Sequence, residues 1–133
     1  MKYFTIPELT DSETARRRKI DNTPPKTVVE NLATLTQYVL DPLREAWGKP
    51  LTVNSGYRCP KLNQAVGGVA TSYHLKGMAA DITAGSTVDN RRLFQLVIDL
   101  GLPYTELIGE RGFKWLHVAL DPGRVCRKTL VIQ

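Results

Sequence analysis

Thr105-Glu106-Leu107-Ile108-Gly109-Glu110-Arg111-Gly112-Phe113-Lys114-Trp115-Leu116-His117-Val118-Ala119-Leu120 is the stretch that decides the fold. Two apolar runs, Thr105 to Glu110 and Trp115 to Leu120, flank Arg111-Gly112-Phe113-Lys114, which predicts a β-hairpin. Side chains alternate between faces along a strand, so the turn sets which residues share a face. A turn of two or four residues around Gly112-Phe113 pairs Glu110 with Trp115 and Ile108 with His117. Glu106, Ile108 and Glu110 then lie on the face that carries His117. An odd-length turn would reverse that parity.

Working outward, Met78 to Thr83 reads as a second strand region, Leu51 to Ser55 as an earlier one, and Thr129 to Ile132 as the last. Thr87 to Gly101 is predicted helical, with Leu93, Leu96, Val97 and Leu100 on its apolar face and Gly101 as its stop. Thr27 to Trp47 carries Val28, Leu32, Leu35, Val39 and Leu43 at helical spacing. Pro42 interrupts it and Asp41 is a candidate cap for a new turn, so a kink or two abutting helices are expected. A short helix from Ile6 to Arg17 is expected before the Asn22-Thr23-Pro24-Pro25 loop. Gly56 to Gly77 is long and loop-like, and loops of this length are usually functional or hide short helices. Helices towards one end and tightly connected strands towards the other predict an α+β fold, a small antiparallel sheet with flanking helices. Residues 1–133 read as one domain, with an N-terminal helix and loop (1–26) leading into a core (27–133).

The net charge of +5 suggests an anionic partner such as a cell-wall polymer or nucleic acid, and charge alone does not separate these from plain solubility. Arg16-Arg17-Arg18-Lys19 reads as a solvated face, because no aromatic residues interleave it for base stacking. A nucleic-acid partner is therefore not expected. Met1 to Pro7 is too short and polar for a signal peptide and no run reaches membrane-spanning length. The chain is expected to be cytoplasmic as synthesised, without membrane insertion, and monomeric. Cys59 and Cys126 lack zinc-finger spacing and read as small, partly buried residues.

The chain has two histidines, His74 and His117, and Asp81 lies seven residues after the first. Two imidazoles and a carboxylate form a ligand set for a catalytic zinc, which keeps a fourth position for water. Gly77 breaks a helix and Ile82-Thr83 favours a strand, so His74 is placed at the end of a loop and Asp81 on the strand that follows. Yet a strand histidine is more often a core or surface residue than a ligand. Composition and spacing leave both readings open. A metal-bound water would need a carboxylate base. Glu110, nearer the turn and freer to swing, is the first choice and Glu106 the reserve.

Ser55-Gly56-Tyr57-Arg58-Cys59-Pro60, Asn63, Gly67-Gly68, Ser72-Tyr73-His74, Gly77, Ala79-Ala80-Asp81 and Trp115-Leu116-His117-Val118 together resemble the zinc D-alanyl-D-alanine carboxypeptidase family. That family also includes L-alanyl-D-glutamate endopeptidases. Its pattern is Ser-x-His-x-x-Gly-x-Ala-x-Asp followed later by Trp-x-His, and the resemblance covers Asn31 to about Leu120. It implies a hedgehog/DD-peptidase-like fold and zinc (Zn2+) held by His74, Asp81 and His117. It implies hydrolysis of the peptidoglycan stem peptide, with Arg58 receiving a substrate carboxylate or carbonyl and Ser72 bonding substrate or supporting His74. Gly67-Gly68 would bring its loop close to the site or simply turn the chain. Together with the missing export signal, the resemblance fits a phage or prophage chain acting on the cell wall after release. One position departs from the pattern: many members carry the general-base acid three residues before the last histidine, where this chain has Lys114. That departure keeps open a catalytically inactive, zinc-containing module that binds cell wall or another partner.

Overall fold

The computed structural model describes all 133 residues. The hairpin forms as the sequence predicts. Strand β3 (Glu106–Glu110) pairs antiparallel with β4 (Trp115–Ala119), placing Glu110 opposite Trp115 and Ile108 opposite His117. The connection Arg111–Lys114 is built from left-handed residues, with φ of 48° at Arg111, 66° at Gly112 and 66° at Phe113. Asn90 fastens this turn from the helical layer, donating its amide to the carbonyls of Phe113 (2.9 Å) and Lys114 (3.0 Å).

On its other edge β4 pairs antiparallel with β2 (Ala79–Thr83), setting Asp81 opposite His117, and β2 pairs antiparallel with β1 (Thr52–Ser55). The last strand, β5 (Lys128–Val131), runs parallel to β3. The sheet is therefore mixed, in the order β1-β2-β4-β3-β5, and not wholly antiparallel as expected. The reason is topological: chain that turns back after β4 runs in the direction of β3. The far edge of β4 is already taken by β2, so β5 adds to the open edge of β3. The class is α+β.

Alternation divides the sheet into two faces. Ala80, Ile82, Leu107, Leu116 and Val118 point into the core and are buried. They meet Leu32 and Leu35 of α3 (Lys26–Leu35), Leu43 of α4 (Asp41–Trp47), and Leu93 and Val97 of α6 (Thr87–Asp99). Between α3 and α4 lies a wider π-turn, Thr36–Leu40, in which the Asp41 N–H bonds the Thr36 carbonyl. It is the interruption expected near Pro42, since proline cannot continue the ladder. Asp41 does not cap it. Its carboxylate instead accepts the backbone N–H groups of Lys2 (2.6 Å) and Tyr3 (3.0 Å), tying down the N-terminus. On α6, Leu100 lies past the helix end and is exposed, whereas Leu93 and Val97 are buried as expected.

The N-terminal stretch forms two helices where one was expected. Helix α1 (Ile6–Thr10) ends at an extended Asp11, and Ser12 Oγ then accepts the Ala15 N–H to start α2 (Glu13–Arg18). Serine is a strong N-cap and restarts the helix. Arg16 pairs with Asp11 and Arg17 with Glu13, so the basic cluster is a solvated face. Phe4 and Leu9 join the same core as the sheet. The long loop contains α5 (Pro60–Ala65) and a 3₁₀ turn, Tyr73–Lys76. Cys59 caps α5 through its sulfur, while Cys126 is exposed rather than partly buried, because the Asp121–Arg127 segment lies on the surface; both are free thiols.

Candidate metal centre

His74 sits in the 3₁₀ turn, which Ser72 starts by accepting the His74 N–H at its Oγ (3.2 Å). Gly77 ends the turn at φ 70°, where a Cβ would lie 2.8 Å from Val28 Cγ1 and 2.9 Å from the Val28 carbonyl oxygen. Only glycine satisfies both the left-handed backbone and this contact with α3. Two residues on, β2 carries Asp81 directly across from His117 on β4. His74, Asp81 and His117 converge, with one ligand atom from each lying within 4.8 Å of the others.

The hydrogen bonds show which ring nitrogen each histidine turns inward. His74 Nδ1 is 2.6 Å from the Gly56 carbonyl oxygen, an acceptor only, so Nδ1 carries the proton. That leaves the Nε2 lone pair directed at Asp81 Oδ1, 3.3 Å away. In His117 the roles of the nitrogens are exchanged. Nε2 donates to Glu106 Oε1 at 3.1 Å, and Nδ1 faces the same Asp81 Oδ1 at 3.1 Å. Neutral imidazoles would thus aim two lone pairs at one carboxylate oxygen, a repulsive arrangement unless a cation lies among them. Groups about 2.0–2.2 Å from one tetrahedral zinc stand roughly 3.3–3.5 Å apart. The two separations to Asp81 match that spacing closely, and the outward-facing partners are of the kind that orient metal-bound histidines. The donor set fits zinc.

A proton also relieves the repulsion. Burial pushes His117 down, but its bonds to Asp81 and Glu106 prevail and raise it to about 9. Burial likewise pushes the Asp81 carboxyl up, yet the two histidines hold it well below the usual carboxylate range. Glu106 is lowered by its bond to His117, with further help from the nearby charges of Lys128 and Arg124.

The triad forms the floor of an open cleft of about 850 Å³. Arg58 enters it from the loop bank. Its backbone is clamped on both sides: Tyr57 N–H bonds the Leu9 carbonyl (2.8 Å) and Cys59 N–H bonds Asn22 Oδ1 (2.8 Å). The guanidinium reaches Ser72 Oγ at 3.4 Å through Nη2, while its buried Nε has no partner. Burial lowers the Arg58 pKa and the Asp81 charge opposes this. Glu110 lines the cleft with its carboxylate free of hydrogen bonds, whereas Glu106 is bound to His117. Lys114 is exposed and outside the cleft. Gly67 makes a turn at φ 75°, and Gly68 packs against Asn63, where a Cβ would meet Oδ1 at 2.1 Å. Sequence reasoning missed the Gly56 carbonyl, which no side-chain pattern reveals. It also missed Arg124 and Lys128, whose only signal is a basic C-terminal stretch.

A triad of side chains able to hold a metal ion, at the base of a solvent-open cleft on a mixed sheet backed by helices, is the pattern of a metal-dependent enzyme. The chain belongs to the Peptidase M15 family, whose profile matches residues 2–119. It is also 47% identical over 55 residues to the zinc D-Ala-D-Ala carboxypeptidase of Streptomyces albus G. That stretch is 41% of this chain and 22% of the length of the relative.

Proposed function

We propose that this chain is a zinc peptidase that hydrolyses peptide bonds in the bacterial cell-wall stem peptide, as a carboxypeptidase or an endopeptidase. The observation that carries the reading is the pair of inward-facing imidazole nitrogens, His74 Nε2 and His117 Nδ1, on a single Asp81 oxygen at the bottom of a cleft open to substrate. His74 Nε2, Asp81 Oδ1 and His117 Nδ1 would hold the ion. Bound there, zinc would supply Lewis acidity towards the scissile carbonyl and acidify water. Membership of a peptidase family and the carboxypeptidase relative support the same chemistry.

The two glutamates then take separate roles. Glu106 binds the outer nitrogen of His117, which fixes the tautomer and turns Nδ1 inward. It is a positioning residue, and its contact with His117 leaves it poorly placed to act as the base. Glu110 lies two same-face pairs closer to the turn than Glu106 and is unpaired, so it can take the proton of the attacking water and return it to the leaving amine. Arg58 offers an unpartnered donor to a substrate carboxylate or carbonyl, a group that suits a guanidinium fork. Ser72 supports both Arg58 and His74.

The test is a digest of purified cell wall by the zinc-loaded chain, scored for new amine ends with and without chelator. Cleavage that stops on chelation is expected. Zinc bound without any new amine ends would overturn the peptidase reading and leave a binding module. Within the active chain, Glu110→Gln should keep its zinc and lose about 10²–10⁴-fold in rate. Glu106→Gln should instead weaken zinc binding by about 10–100-fold, read by competition with a metal indicator.

A further inference from the structure

The bank of the cleft opposite Arg58 is formed by residues 121–128, which lie beyond the stretch matched by the family profile. Arg124 and Lys128 stand on it. The segment is pinned at both ends to one buried residue, Thr105, the neighbour of Glu106. Asp121 N–H donates to Thr105 Oγ1 (2.8 Å), and Lys128 N–H donates to the Thr105 carbonyl (3.1 Å). In the parallel pairing of β3 and β5, Lys128 is the register partner of Glu106, so its side chain shares the sheet face of the metal triad. Arg124 is held by the Asp121 turn, its N–H bonding the Asp121 carbonyl at 2.8 Å.

Neither cation is in an ion pair. Two carboxylates lining the same cleft are already engaged: Glu106 with His117, and Asp121 with the Gly123 N–H. Around the cleft, four cationic side chains (Arg58, Lys76, Arg124, Lys128) face four carboxylates (Asp81, Glu106, Glu110, Asp121), so a bound divalent ion leaves it positive. Arg58 and Lys76 stand on one bank and Arg124 and Lys128 on the other, with the triad between them.

We infer that Arg124 and Lys128 form a second carboxylate subsite, which selects peptides bearing an acidic group on the side of the cut bond opposite the one held by Arg58. The inference rests on the peptidase reading, since the triad marks where the cut bond lies. An extended acidic peptide would cross the floor with one carboxylate on each bank. The relevant cations are exposed, so the effect should be moderate and should fade in high salt.

The experiment measures binding apart from turnover. The probe is a fluorescently labelled pentapeptide with D-glutamate in its second position and D-Ala-D-Ala at its end, compared with the same peptide amidated at the glutamate carboxyl. Binding to zinc-loaded Glu110→Gln is followed by anisotropy. The acidic peptide should bind roughly fivefold more tightly than the amide. Adding Arg124→Ala and Lys128→Ala should erase that preference, while Arg58→Ala should weaken both peptides and leave the ratio intact. A preference that survives the double substitution, or no preference at the start, overturns the subsite. Hydrolysis of the two peptides by the wild-type chain is scored separately, so failure to cleave counts against the peptidase reading and the binding ratio alone judges the subsite.

Discussion

The two faces of the sheet share one backbone and have opposite chemistry. In β2 and β4, Ala80, Ile82, Leu116 and Val118 point towards the helices and are excluded from water. Asp81 and His117, their immediate neighbours in sequence, point the other way and meet His74 in the open cleft. Strand parity makes this division, and the apolar face enforces it. A slip of one residue would put a carboxylate and an imidazole into the leucine core and expose the leucines, at a cost of several kcal/mol. The rigid face thereby fixes the position of the reactive one. It follows that substitutions on the two faces should fail differently.

The largest effect should come from the cleft face. His117→Ala should abolish stoichiometric zinc binding and all cleavage while leaving the far-UV circular dichroism of the chain unchanged. Metal content by atomic absorption, beside the spectrum, checks this. A variant that still held one zinc per chain would mean the ligand set is misassigned. The neighbouring core residue gives the counterpart. Leu116 is fully buried against the helices, and Leu116→Ala should cost about 2–5 kcal/mol in urea unfolding. The folded fraction should nevertheless take up zinc, because Asp81 and His117 keep their pairing. If Leu116→Ala lost zinc at low urea, the faces would be coupled far more tightly than alternation requires.

Much of this division was legible in the sequence. The hairpin register followed from a four-residue turn, whereas two histidines and an aspartate left the triad as one of two open readings until the family resemblance favoured it. What remained hidden depended on contacts that carry no local signal. The parallel pairing of β5 is decided by which sheet edge is free, and that is a property of the assembled sheet. Distance from the turn pointed to Glu110 as the base but said nothing of where Glu106 would bind, and its bond to His117 emerges only from side-chain geometry. The break between α1 and α2 was readable in principle from Ser12 as an N-cap, but the helical pattern across it concealed the stop. The Gly56 carbonyl that orients His74 is main chain, so no choice of side chain announces it.

The subtlest difference between the faces lies in their response to pH, because the core face has nothing to titrate. In chelator-treated protein His117 keeps its proton up to about pH 9, held by Asp81 and Glu106. The folded-state pKa lies above the ordinary value, so the stabilisation from this proton is complete below about pH 6.5 and is lost as pH rises through 9. Zinc needs the same Nδ1 lone pair and must displace the proton. Zinc binding at pH 7.5 should therefore release about one proton per ion from this residue, with apparent affinity rising towards pH 9 and levelling off above it. Calorimetric titrations in buffers of different ionisation enthalpy would count the protons. Leu116→Ala should give the same count as wild type, since it leaves the cleft face intact. A count near zero would show that His117 is already neutral at pH 7.5, and that Asp81 and Glu106 orient the ring without charging it.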